Sequence, residues 1–164
     1  MGKLLILCGK ETNESYTPYV VETSVGLDRL FLAVLSTALD EEVLEDGSTR
    51  AVLRLPYALA PTQVAILPLL KKDGLPELAQ KVYDLLRWDL QVAVDEKDAI
   101  GKRYRRQDAV GTPYCITVDH QSLEDQTVTL RDRDSMQQER LPISELSARL
   151  HASVSMTSLL KKLA

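Results

Sequence analysis

From Pro61 onward the chain alternates between runs with a strand period and runs with a helix period, and this constrains the fold more than any other feature. Residues 63–69 (QVAILPL) are a short β-rich apolar run. Asp73, Gly74, Leu75 and Pro76 open a helix whose apolar positions are Leu75, Leu78, Ala79, Val82, Leu85 and Leu86. Proline suits a first turn because the amide it lacks has no partner there. Leu90, Val92 and Val94 alternate as a strand. Asp98 caps a second helix, ended by Gly111, Thr112 and Pro113: glycine takes the left-handed stop and proline forbids another turn. Residues 114–119, 127–131 and 139–143 read as three more strands, and Ser144 caps a last helix. The order β-α-β-α-β-β-β-α implies an α/β domain, a mixed sheet flanked by helices.

Upstream the pattern changes. Residues 16–23 are rich in Val, Tyr and Thr and read as a strand. Ser24 then caps a helix whose apolar stripe is Leu27, Leu30, Phe31, Val34, Leu35 and Ala38. Residues 40–49 hold five acidic side chains and Gly47-Ser48, and read as an exposed loop or linker before a short strand at 50–55. The expected division is a first region at 1–45, a linker at 46–60 and a second region at 61–164.

Composition excludes several classes. With 164 residues, 45% hydrophobic and 27% charged, the chain is an ordinary globular one of about one domain. Its 20 basic and 24 acidic side chains leave a net charge of −4, which argues against a globally basic nucleic-acid binder but allows a local basic patch. Cys8 and Cys115 lie too far apart to suggest a disulfide framework, so a reduced, cytoplasmic setting is expected. Pro61, Thr62, Gln63 and Pro68 interrupt the longest apolar stretch, which falls short of the ~20 residues a membrane span needs. The apolar core at 4–7 is too short for an export signal and reads as a buried strand.

Three segments carry candidate chemistry. In residues 101–108 (GKRYRRQD), helical spacing places Lys102, Arg103 and Arg106 on one face, a pattern suited to RNA backbone contacts. The bland alternative is a solvated face neutralised by Asp95, Glu96, Asp98 and Asp108. In residues 131–134 (RDRD), strand alternation throws Arg131 and Arg133 to one face, either to grip phosphate or to form an ion-pair ladder with their own aspartates. Residues 18–29 (PYVVETSVGLDR) place Glu22, Ser24, Gly26 and Arg29 along a strand-to-helix turn, where a carboxylate could hold an ammonium and an arginine a phosphate. His120 and His151 have no metal-ligand spacing with either cysteine, and no Gly-rich phosphate loop or nucleophile elbow appears.

PYVVETSVGLDR resembles motif 3 of class II aminoacyl-tRNA synthetases, in the form found in the dimeric type of glycyl-tRNA synthetase (P-x-V-I-E-P-S-x-G-x-D-R). Residues 59–146 resemble the anticodon-binding domain of the same family through the phrases ALAPTQVAILPLLKKDGLPELA, IGKRYRRQDAVGTPYCITVD, TVTLRDRDSM and LPISEL. The resemblance implies a chain that joins the end of a catalytic domain (1–45) to an anticodon-binding domain (61–164). It implies Arg29 and Gly26 at ATP, Glu22 and Ser24 at glycine, and Lys102, Arg103 and Arg106 at the anticodon arm of a glycine-specific tRNA. Arg131 and Arg133 are second choices for that last role. The partners so implied are tRNA, glycine, and ATP with magnesium, in a homodimeric parent of the cytoplasm. Thr23 stands where the family has proline, and neither motif 1 nor motif 2 is found. A C-terminal fragment with no complete catalytic set, inactive alone, is therefore expected. The alternatives are an accessory or protein-interaction module of the same fold without RNA contact, or a synthetase of the threonyl, prolyl or histidyl group.

Overall fold

The computed structural model describes residues 6–8, 14–19, 21–44 and 46–161, and divides the chain into two compact units, Met1–Leu32 and Ala33–Ala164. The strand expected around residues 4–7 lies mostly outside the described residues.

In the first unit, β1 (Leu7–Cys8) pairs antiparallel with β2 (Ser15–Tyr16). The strand expected over 16–23 is in the ladder only at Tyr16, and residues 21–26 have no regular structure. A β-rich composition yields a strand only where a second strand meets its backbone groups; here Tyr19 and Val21 are exposed. Helix α1 (Leu27–Ala38) crosses the division between the units. It opens with the Leu30 amide donating to the Gly26 carbonyl, 3.0 Å, so Ser24 lies before the cap.

In the second unit, β3 (Leu39–Val43) and β4 (Thr49–Leu53) form an antiparallel hairpin with Leu39 opposite Leu53 and Val43 opposite Thr49. This corrects the expected acidic linker over 40–49. Cross-strand arginines neutralise two of the five acids that suggested a loop: Arg50 pairs with Glu42 at 2.7 Å, and Arg54 pairs with Asp40 at 3.0 Å and also with Glu42.

The main sheet comprises β5 (Val64–Pro68), β6 (Val92–Val94), β7 (Tyr114–Val118), β8 (Thr127–Asp132) and β9 (Gln138–Pro142), ordered β6-β5-β7-β8-β9. The first three neighbours run parallel, and β8 and β9 add antiparallel strands. Helix α2 (Leu75–Leu86) joins β5 to β6, and α3 (Ile100–Val110) carries the chain back across β5 to β7. The two crossovers run in opposite directions, so a right-handed connection puts their helices on opposite faces. On the first face Val64, Ile66, Ile116, Val128 and Leu130 pack with α2 and with α5 (Leu146–Val154). Each fully buried aliphatic side chain there contributes roughly 1.5–3 kcal/mol. On the second face Ala65, Leu67 and Cys115 meet Ile100 and Tyr104 of α3. Burial pushes the Cys115 thiol up to about 12, which leaves it unreactive near neutrality.

Gly111 stops α3 as expected, at φ +84, and a Cβ there would lie 3.0 Å from the Leu53 carbonyl oxygen. The cap of α3 is Ala99 and not Asp98, which takes φ +75. The short helix α4 (His120–Asp125) was not expected; its capping box uses Asp119 and Ser122. A 3-10 turn over Ile143–Glu145 takes Ser144 away from a cap, and α6 (Met156–Lys161) follows α5. No helix among the described residues is long and apolar enough to cross a membrane.

Candidate nucleic-acid interface

Three of the five arginine and lysine candidates lie inside. Asp108 is fully buried on α3, and Arg131 grips it with two parallel hydrogen bonds, Nη1 to Oδ1 at 2.9 Å and Nη2 to Oδ2 at 3.1 Å. Arg50 of the hairpin adds a third, at 3.2 Å, and donates to the Arg133 carbonyl. Arg133 reaches the carbonyls of Leu53, Gly111 and Leu55 at 2.9–3.0 Å, and its Nε donates to Asp134. Arg103 is also buried, donating to backbone carbonyls. Arg103, Arg131 and Arg133, expected at the anticodon arm, are held in this structure as internal fasteners. Their forks are already spent on acceptors that water cannot replace, and unpairing a buried charge is costly.

The face shared by Lys102, Arg103 and Arg106 is corrected too. Arg103 turns inward, while Lys102 and Arg106, one turn apart, point outward. Arg106 is tied to Asp95 at 2.7 Å and Asp98 at 2.6 Å, so only Lys102 of the three offers an unpaired charge among the described residues.

A different surface emerges from the register. On the second sheet face, Thr117, Thr129 and Arg140 stand in one row across β7, β8 and β9, and Cys115, Arg131 and Gln138 in the next. Helix α3 covers Ala65, Leu67 and Cys115 of this face. Beyond it a cleft of about 330 Å³ opens, lined by Leu69, Ile100, Tyr104, Thr117, Asp119 and Thr129 with Gln138 at its rim. Arg140 donates to both Asp119 carboxylate oxygens, 2.8 and 3.0 Å, and to Thr127 Oγ1 at 2.6 Å. The Arg140 hydrogen bonds hold the Asp119 carboxyl down at about 2, so it is an ionised acceptor at neutral pH. Hydroxyls, a carboxylate, an amide and a guanidinium beside apolar Leu69 and Ile100 can meet both the edge and the flat face of a nucleobase.

Beside this cleft lie the carboxyl ends of β5 and β6. Their following loops leave to opposite faces, the arrangement at which open α/β sheets bind ligands. Lys71 and Lys72 in the first loop, Lys97 in the second and Lys102 on α3 are exposed there.

In the first unit Glu22, Ser24, Gly26 and Arg29 are all exposed. No hydrogen bond or ion pair joins them among the described residues, and a Cβ on Gly26 would meet nothing within 4 Å. No metal-binding group of three His, Cys, Asp or Glu occurs among the described residues.

The family model for the anticodon binding domain matches residues 63–153, the whole five-stranded sheet with its helices through α4 and most of α5. The chain belongs to that family. Over 145 residues it is 54% identical to the glycine–tRNA ligase of Macrococcus caseolyticus, covering 88% of this chain and 31% of that protein. Over 135 residues it is 56% identical to the glycine–tRNA ligase of Borrelia hermsii, covering 82% of this chain and 30% of that protein. The chain thus spans about a third of the length of these curated relatives. Among solved structures, the RNA binding domain of threonyl-tRNA synthetase from Cryptosporidium parvum superposes with a TM-score of 0.56 at 27% identity, over 61% of this chain and 25% of that one. Prolyl-tRNA synthetase from the same organism gives 0.59 at 21% identity, over 75% of this chain and 32% of that one, and shares the fold.

Within this anticodon binding domain, the sequence reading passed over Thr117, Asp119, Thr129 and Arg140. A signal for them existed. Thr127 and Thr129 alternate with Val128 and Leu130, and Thr117 stands between Ile116 and Val118, which marks one sheet face as polar.

Proposed function

We propose that this chain docks the anticodon arm of a glycine-accepting tRNA for a glycine–tRNA ligase, whose ATP-dependent charging reaction belongs to the whole protein. The observation that carries the reading is the uncovered polar half of the second sheet face, next to a lysine-bearing edge, in a chain of the anticodon binding family. Splayed anticodon bases would enter the cleft at Thr117, Thr129, Asp119 and Arg140, while Lys71, Lys72, Lys97 and Lys102 meet the phosphates. In the same proposal Arg29 faces ATP phosphates and Glu22 the ammonium of glycine, with Ser24 and Gly26 beside them. These four line a pocket only together with residues from outside the segment, so no catalytic step is assigned to them here.

Binding of an in vitro transcribed glycine tRNA, followed by fluorescence anisotropy from 50 to 200 mM salt, tests the docking role. About three phosphate contacts to a single-stranded loop give a slope of log affinity against log salt of roughly −2, about a 20-fold loss over that range. Lys102→Glu is expected to weaken binding and flatten the slope, and Arg140→Ala to weaken binding with the slope nearly kept. Equal affinity for glycine tRNA and a scrambled hairpin, or no binding at 50 mM salt, would refute the reading.

A further inference from the structure

Arg103 occupies an unusual position. The residue is 3% exposed, and among the described residues no carboxylate lies within ion-pair distance of its guanidinium. Nη1 donates to the carbonyls of Pro68 at 2.7 Å and Asp95 at 3.1 Å, Nη2 to that of Leu69 at 3.4 Å, and Nε has no partner. Pro68 and Leu69 end β5 and start the loop to α2, and Asp95 starts the loop from β6 to α3. One side chain therefore ties together the two loops that diverge at the carboxyl edge of the sheet.

Those loops carry Lys71, Lys72 and Lys97, and the second leads into Lys102. Like charges on adjacent loops repel, and exposed loops fray easily. A buried cation with no anion is a costly way to fill an interior position, and a neighbouring site on the same helix is filled by Ile100. The fork does what an apolar side chain or a lysine cannot: its planar donors reach acceptors on two loops at once.

We propose that Arg103 is a positioning residue for RNA binding, a clamp that presets the loops after β5 and β6 so that their lysines form one phosphate-facing edge before RNA arrives. Ordering that edge in advance spares the complex the entropy of fixing it on binding. The inference rests on the docking function proposed above, and the test separates the two.

Affinity and salt slope for glycine tRNA are measured on the full chain as wild type and as Arg103→Lys, together with hydrogen exchange. The amides to follow are Leu69, Asp95 and Lys97, bonded at 2.8, 3.0 and 3.0 Å in the free protein. Arg103→Lys is expected to bind about tenfold more weakly at an unchanged slope, with those three amides exchanging at least tenfold faster and β7 and β8 unaffected. In Arg103→Met, which removes the charge and is measured alongside, a slope flattened by about 0.7, the signature of one lost phosphate contact, would overturn the clamp in favour of direct contact. Wild-type affinity in Arg103→Lys would overturn it as well. Should Arg103→Lys lose protection in β7 and β8, the free wild type decides: protected Leu69, Asp95 and Lys97 amides support a preset edge, and exchange at unstructured rates refutes one. If the wild type itself binds no tRNA, the docking function has failed, and the clamp falls with it.

Discussion

Under helix α3, the second face of the sheet carries Arg131 of β8, whose donors are cancelled by buried acceptors; beyond the helix, the same face leaves Arg140 of β9 and Asp119, just past the end of β7, a quarter exposed. Both halves use arginine–aspartate pairs of nearly the same geometry, at 2.8–3.1 Å. What differs is the layer above. Over Arg131 lie α3 and then the β3–β4 hairpin, so the pair serves as a fastener between three elements. Over Arg140 there is solvent, so the pair stays available to exchange partners. Burial decides whether an arginine in this fold is a fastener between elements or stays open to solvent.

The largest expected effect sharpens that contrast. Asp108→Ala strands Arg131 as a buried cation and leaves Arg50 with Glu42 alone, and is expected to cost about 3–5 kcal/mol in urea unfolding. Asp119→Ala, in the open half, is expected to cost far less, on the order of 1 kcal/mol. Equal losses at the two positions would break the comparison.

A second, smaller effect tests whether the hairpin belongs to the covered half. Gly111→Ala puts a side chain at φ +84 and 3.0 Å from the Leu53 carbonyl. A loss of about 1–3 kcal/mol is expected, with the β3–β4 amides losing protection first. Unchanged stability would mean that α3 and the hairpin do not pack closely at this point.

The smallest effect is in pH. The Asp119 carboxyl is held at about 2, below its ordinary 3.8, chiefly by Arg140. A depressed folded-state value gives stability that is complete above about 4 and is lost as pH falls toward 2. After screening of a partly exposed pair, that contribution is about 1 kcal/mol. Acid titration of wild type and Arg140→Met by circular dichroism should show it: the two curves differ above pH 4 and converge near pH 2. A difference that persists unchanged at pH 2 would assign the role of Arg140 to packing.

Much of the fold was legible because local rules agreed with the tertiary outcome. Of the expected stripe, Leu75, Leu78, Ala79, Val82 and Leu86 turned inward as helical periodicity requires while Leu85 at its edge stayed exposed, and Gly111 took the left-handed stop that ended α3. The runs at β5, β7 and β8 are buried strands with matching patterns. Family resemblance was legible for a different reason, since it rests on short phrases and needs no geometry. The errors cluster where charge was read without its environment. Residues 40–49 looked like a linker because Glu42 and Asp40 were counted as solvated acids, whereas Arg50 and Arg54 lie 8 and 14 residues further on and neutralise them across a hairpin.

Sequence by itself determined the alternation of strands and helices, the polar and apolar faces of each, and the family to which the chain belongs, because periods of 2 and 3.6 residues and short motifs are local properties. Only the tertiary structure decided which cations are exposed and which are fasteners. Lys102 and Arg103 are adjacent in the chain, yet one is exposed and the other holds three carbonyls from two loops. Arginine's role depends on which acceptors the fold brings to its fork, and those acceptors come from residues up to 83 positions away, as between Arg50 and the Arg133 carbonyl.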